Sequence, residues 1–229
     1  MMKLGVLLGI LLVSSYATAE FCYNDVEAAC GSSSGADNAL LANCDAKYGG
    51  IDALLIDLQA YANAQIESSF DYLLMTAHFA NFEAYRPGFH AMFLTLSDRA
   101  WAKGADIIKF ILQRGGKMNF NQPPRLKRNT KERHLELNEL HSLAKALDTE
   151  KKLAEEALRI HSQAQHHTKQ DASIAHYIEE HFIEDQALII RKLAGHITNL
   201  KSLLVDRDPS ISVMLFDDFL KNLISSSSA

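Results

Sequence analysis

No asparagine in this chain stands in Asn-x-Ser/Thr, so no N-linked sugar is expected. There is no CxxC pair and no histidine adjoins a cysteine, which leaves little from which to build a zinc site. Positive charge is also short. With 23 Lys and Arg against 28 Asp and Glu the net charge is −5, and a pI near 6.0 argues against nucleic acid as a partner. The one long apolar run, Leu4 to Val13, is too short to span a bilayer, and no later segment qualifies. What is present is 229 residues, 48% hydrophobic and 22% charged, enough for one globular domain with a sizeable core.

Met1 to Ala19 reads as a secretory signal, with Lys3, the apolar run and the small-residue site Ala17-Thr18-Ala19, so cleavage before Glu20 is expected. Cys22, Cys30 and Cys44 then lie in an oxidising compartment, where thiols pair. Three is odd, which implies one intrachain bridge and one leftover thiol, either free or bonded to another subunit. All three precede the first long helix, so they tether an extension over residues 20–49 and do not staple the core.

The rest of the chain is dominated by helical periodicity. Phe89, Phe93, Leu96, Ala100, Gly104, Ile107 and Ile111 fall on one stripe of a helix opened by Arg86-Pro87-Gly88 and closed by Gly115-Gly116. Ala100 stands at the centre of that stripe and Lys103 at its edge, and bundle metal sites are built from such mid-helix positions. An earlier helix runs from Ile51 to about Phe79. Leu54, Leu55, Leu58, Ala62, Ser69 and Leu73 form its expected stripe, with Gln65 inside it. A short connection makes these two antiparallel neighbours. Met118 to about Arg133, with Pro123-Pro124 and five basic residues, reads as a solvated loop. A helix of about 28 residues spans roughly 42 Å. About 16 extended residues at up to about 3.3 Å each can cover that distance. The next helix can therefore start from the opposite end of a bundle.

That third helix is expected from about Leu135 to Gln163, with Leu137, Leu140, Leu143, Leu147, Leu153, Ala154 and Ala157 inward and Glu150 among them. A carboxylate there is costly unless paired or metal-bound. His166-His167 belongs to a polar turn, because sequence neighbours do not share a helix face. A fourth helix from about Ala172 to Val205 buries Phe182, Ile183, Ile190, Leu193, Ile197, Leu200 and Leu204, with Gln186 in the stripe. Asp208-Pro209 then caps a short fifth helix, Ser210 to Ile224, before a serine tail. The expected fold is all-α: a four-helix bundle over residues 50–206 with one long crossover, then the fifth helix and tail over 207–229.

FDYLLMTAHF at Phe70 to Phe79, LQRGG at Leu112 to Gly116 and EKKL at Glu150 to Leu153 together resemble the ferritin family. HYIEEHFIEDQ at His176 to Gln186, GHITNL at Gly195 to Leu200 and MLFDDFL at Met214 to Leu220 continue the resemblance in order. It covers about residues 50 to 222. The leader, the cysteine-bearing extension and RGGKMNF are most similar to the secreted insect-type light-chain subunits of that family.

The resemblance implies a ferritin-like bundle in a hollow shell of twenty-four subunits that stores ferric mineral, with ferritin heavy chains as co-assembly partners. In those heavy chains the ferroxidase centre takes a Glu from the first helix, Glu-x-x-His from the second, a Glu from the third and a Gln from the fourth. The matching positions here are Gln65, Ala100, Lys103, Glu150 and Gln186, so both members of Glu-x-x-His are replaced. An iron-storage subunit without its own ferroxidase activity, and with no tight iron site, is therefore expected. Glu150 and Gln186 read as polar residues satisfied by internal hydrogen bonds. Lys103 is expected to pair with Glu150, with Gln65 and Gln186 bonding around the pair. His176 and Glu179 match positions lining the three-fold pore. On the part of the second helix that should face the cavity, Asp98 is the only carboxylate, beside Thr95, Arg99 and Ala102, so mineral nucleation there has little to rest on. The resemblance places the chain in the secretory pathway (endoplasmic reticulum, Golgi, extracellular fluid), off membranes, with an intersubunit disulfide expected. The alternatives are an active di-iron ferroxidase subunit and a secreted helical signalling protein of the cytokine class; the latter would show two long crossovers.

Overall fold

The computed structural model describes residues 22–31, 41, 43–126, 138–166, 170–206 and 208–227. The chain divides into two compact units, Met1–Asp45 and Ala46–Ala229. In the smaller, α1 (Cys22–Gly31) is joined to the segment after it by a disulfide between Cys22 and Cys44. The Asp25 carboxylate supports the same closure by accepting from the backbone and side-chain N–H groups of Asn43. The side chain of Cys30 and the leader fall outside the described residues.

The larger unit is built from α2 (Ile51–Ala80), α3 (Pro87–Gln113), α4 (Glu139–His166), α5 (Ala172–Ile178), α6 (Glu184–Asp206) and α7 (Pro209–Ser227). A five-residue π-helical turn, Glu179–Ile183, joins α5 to α6, so the two act as one long fourth helix. Pairings along the helices give the directions. Thr76 lies beside His90 and Ser69 beside Ser97, so α2 and α3 are antiparallel. Tyr72 reaches Glu150 while Asp57 meets Arg159, so α4 is antiparallel to α2. Arg86 and Glu139 pair at 3.1 Å, placing the starts of α3 and α4 at the same end. The connection between them therefore runs the length of the bundle, which is the single long crossover.

The α3 stripe is buried throughout, from Phe89 to Ile111. On α2 the buried line is Leu54, Leu58, Tyr61, Gln65, Ser68, Tyr72, Met75 and Phe79. Leu73, expected inside, is 45% exposed. Alternating steps of three and four lead from Ser68 to Tyr72, and the next residue points about 100° away. The expected ends of α4 at Leu135 and Leu137 fall outside the described residues, as does His167. Asp208 caps α7 as anticipated, its carboxylate accepting from Ser210 N–H at 2.9 Å.

Three local devices hold the ends. After α3, Gly115 at φ +75° lets its own N–H reach Leu112 C=O and the Gly116 N–H reach Ile111 C=O, the paired bonds that end a helix on a left-handed residue. At the start of α3, the Asp217 carboxylate of α7 accepts from Gly88 and Phe89 N–H at 2.9 and 3.0 Å. Residue 88 must be glycine, because a Cβ there would stand 2.0 Å from the Asp217 carbonyl oxygen. At the other end Asp171 caps α5 through Ile174 N–H, accepts from Gly50 N–H, and pairs with Arg114 at 2.7 Å. Arg114 also donates to Tyr48 C=O and lies over the Tyr48 ring.

Two apolar clusters fill the bundle. One centres on Leu58, Tyr61, Ile107, Leu153, Ile178 and Phe182, the other on Tyr72, Phe79, Phe93, Leu143, Leu193 and Phe216. Between them lies a buried polar layer containing Gln65, Ser68, Ser69, Ser97, Glu150 and Gln186. It is in this layer that the chemistry sits.

Burial works against the Asp171 carboxylate, but Arg114 and the Gly50 and Ile174 N–H groups outweigh it and hold its pKa below the usual 3.8. A group lowered in this way stabilises the fold above its unfolded pKa, and that stability is lost as pH falls through the folded value. Asp171→Asn is therefore expected to destabilise by about 3–5 kcal/mol near neutrality, since Arg114 is left buried without its counter-ion. In urea melts the gap to the wild type should shrink as pH falls below about 4.

Candidate functional site

Glu150 is fully buried on α4, midway between the apolar halves. Its Oε1 accepts from the Tyr72 hydroxyl at 2.8 Å. Its Oε2 faces the Arg99 guanidinium at 3.3 Å and also accepts from the Gln186 amide nitrogen, which bonds the Glu150 main-chain carbonyl as well, at 3.0 Å. The Gln186 amide is used at both ends, because its oxygen accepts from Arg99 at 3.2 Å. Arg99 then reaches Asp185 at 3.1 Å, and Lys103 meets the same Asp185 carboxylate at 3.0 Å. Lys103 also donates to the His181 carbonyl in the π-helical turn and lies over the Phe182 ring. Two cations and two carboxylates thus form one charge-balanced chain across α3, α4 and the fourth helix.

This corrects the expected pairing of Lys103 with Glu150. Lys103, at the edge of the α3 stripe, is led outward to the half-exposed Asp185 and the opened turn. Arg99, expected beside Asp98 on the cavity-facing surface, turns inward instead, and its side chain is 14% exposed. Ala100 next to it has no side chain beyond a methyl, and a guanidinium on a long stem extends past it and can bond several acceptors at once. Gln65 makes no hydrogen bond to the pair: its buried amide lies beside the Tyr61 hydroxyl, one turn away on α2. Asp98 and Thr95 are exposed, as read.

Burial pushes the Glu150 carboxyl above its ordinary pKa, while Arg99 and the hydrogen bonds from Tyr72, Gln186 and Arg99 pull it back. Asp185 moves the other way. Desolvation raises it, but Lys103 and Arg99 outweigh that and hold it below the usual carboxylate range.

The second group of anticipated residues lies elsewhere. His176 on α5 is exposed and stands 3.2 Å from Glu180; Glu179 opens the π-helical turn, 3.6 Å from His161 on α4. His176 and Glu179 border a cavity of about 290 Å³ with Gln165 and Gln170. Among the described residues, no group of three or more His, Cys, Asp or Glu side chains is placed to hold a metal ion.

The inward role of Arg99, and the parts played by Tyr72, Asp185 and His161, escaped the sequence reading. Tyr72 could have been found, because it lies seven residues after Gln65 and so on the same face of α2. The others depend on where long side chains bend.

Residues 57–203 match the ferritin-like domain family. The chain belongs to the ferritin family. It is 42% identical over 223 residues to the ferritin light chain of Trichoplusia ni, covering 94% of this chain and 96% of that protein. The ferritin light chain of Drosophila melanogaster is also 42% identical, over 206 residues, covering 88% of this chain and 89% of that one. The crystal structure of Trichoplusia ni secreted ferritin superposes with a TM-score of 0.82 at 43% identity, over 89% of this chain and 99% of that one. The helical bundle is therefore shared with that solved structure.

Arg99→Met should cost about 3–5 kcal/mol, because Glu150 is left buried without its cation. Lys103→Met should cost no more than about 1 kcal/mol, since Asp185 is 39% exposed and keeps Arg99. Guanidinium unfolding of the two variants checks this; an equal loss for both would refute the assignment of Arg99 as the partner of Glu150.

Proposed function

We propose that this chain is an iron-storage subunit of a secreted ferritin that carries no ferroxidase centre of its own. It works in a hollow twenty-four-subunit shell with heavy chains that supply Fe(II) oxidation, and the ferric mineral is held in the shared cavity. The observation that carries this reading is the cation already seated on Glu150. Iron(II) at a di-iron site needs carboxylate and imidazole ligands with open coordination positions. Both Glu150 oxygens are occupied by donors, both ends of the Gln186 amide are used, and Ala100 offers a methyl group. Lys103 brings a second positive charge to the place where a ligating His would stand. These residues do not fit a bound iron ion, which also weighs against an active di-iron oxidase. The single crossover weighs against a cytokine-class protein. Names of the relatives support secretion and the light-chain role.

On this reading His176 and Glu179 border the three-fold pore, where two carboxylates would be usual, so iron entry beside this chain is weaker than beside a heavy chain. Asp98 alone offers little for mineral nucleation. With Cys22 and Cys44 joined within the chain, Cys30 is the cysteine left for a bond to the heavy partner.

The test is Fe(II) oxidation by assemblies of this chain alone and by assemblies with the heavy chain, each first shown to be shell-sized by size-exclusion chromatography. The chain alone should oxidise Fe(II) no faster than a protein-free control, and mixed shells should do so in proportion to heavy-chain content. Fast oxidation by the pure light-chain shell would overturn the proposal.

A further inference from the structure

In the π-helical turn Glu179–Ile183 the backbone bonding is widened: the N–H of Glu184 reaches back five residues to the carbonyl of Glu179. Such turns are rare and recur at functional positions in helices. This one divides its residues between two surroundings. Phe182 is 1% exposed and packs edge-on against Tyr61, with ring centroids 5.3 Å apart, and against Tyr177 at 5.8 Å. Glu179, Glu180 and His181 are exposed. Glu179 borders the cavity of about 290 Å³ and stands 3.6 Å from His161 of α4.

Lys103 meets the turn from α3. Its ammonium donates to the His181 carbonyl, lies 5.3 Å from the centre of the Phe182 ring, and pairs at 3.0 Å with Asp185 in the first turn of α6. The three contacts fall within five consecutive residues, and an ammonium has three N–H donors to direct at them. The Lys103 side chain is only 20% exposed, so these contacts are partly shielded from water. Asp185 is shared with Arg99, which is itself seated on Glu150. The turn is thus tied through two side chains of α3 to the buried layer, while its exposed residues edge the cavity.

We propose that Lys103 is a positioning residue, which fastens the π-helical turn from α3 and thereby holds Glu179 in place at the rim of the cavity. The effect is local. The extra residue that widens the turn is built into the chain, so removing the ammonium leaves the turn in being and lets it open more often. The hydrogen bond to the His181 carbonyl carries the effect, because it is the contact made to the backbone of the turn itself. Asp185 lies beyond the turn and keeps Arg99 when Lys103 is lost. A side chain without a donor at position 103 would leave the rim carboxylate on a looser support. The inference does not depend on whether the chain stores iron.

The test is amide hydrogen exchange followed by mass spectrometry on the assembled protein, with Lys103→Met, Lys103→Arg and Asp185→Asn beside the wild type. Peptides covering Glu179 to Gln186 should exchange about three- to five-fold faster in Lys103→Met, the scale of one partly exposed polar contact, while peptides of α2 stay unchanged. Lys103→Arg, which can still donate to a carbonyl, should restore most of the protection. Asp185→Asn, which leaves the carbonyl bond intact, should loosen the turn much less than Lys103→Met. Unchanged exchange of the turn in Lys103→Met would overturn the proposal. So would loosening in Lys103→Arg or Asp185→Asn as large as in Lys103→Met.

Discussion

The Arg99 guanidinium is the hinge of the whole arrangement. A fully buried carboxylate on α4 is tolerable only if its charge is matched close by and its lone pairs are filled. Arg99 matches the charge from α3, Tyr72 fills a lone pair from α2, and Gln186 fills another from the fourth helix. All four helices of the bundle therefore converge on Glu150. The two apolar clusters above and below this layer can pack as hydrocarbon because the polar demand between them is met on the spot. On the functional reading proposed above, a fixed protein cation stands where heavy chains would hold iron.

The fold was legible because helical period and end signals are local. The α3 stripe from Phe89 to Ile111, the glycine stop at Gly115-Gly116 and the Asp208-Pro209 cap all appear as read. The crossover was legible from length alone. Leu73 was misplaced because a stripe drawn in steps of four drifts off the true face after several turns, and the buried line passes through Tyr72 instead. The π-helical turn at Glu179–Ile183 was invisible, since its residues continue an ordinary helical pattern and only the backbone bonding differs. The joining of Asp171 to Arg114 was equally hidden, because the partners lie 57 residues apart.

The site was half legible. Positions 100, 150 and 186 are buried in the mid-bundle layer, as helix periodicity requires. Which cation serves Glu150 was not legible, because periodicity fixes where a Cα points and says little about where a four-bond side chain ends. Lys103 and Arg99 stand one turn apart on the same flank of the stripe, yet Arg99 turns inward to Glu150 and Lys103 outward to Asp185. The π-helical turn offers Lys103 a carbonyl and Asp185 offers it a carboxylate, so it is held at the rim. Arg99 can bond Glu150, Gln186 and Asp185 together, which a single ammonium could not do with the same geometry.

The central claim is that Arg99, and not merely the loss of ligands, keeps divalent metal out of this layer. It is tested by anomalous X-ray scattering from crystals grown with manganese(II), using two variants of the assembled protein. The first carries Gln65→Glu, Ala100→Glu and Lys103→His, which supplies the missing ligand types. The second adds Arg99→Gln. The account predicts an anomalous peak beside Glu150 in the second variant and none in the first. A peak of equal height in both would show that Arg99 is no barrier and would contradict it.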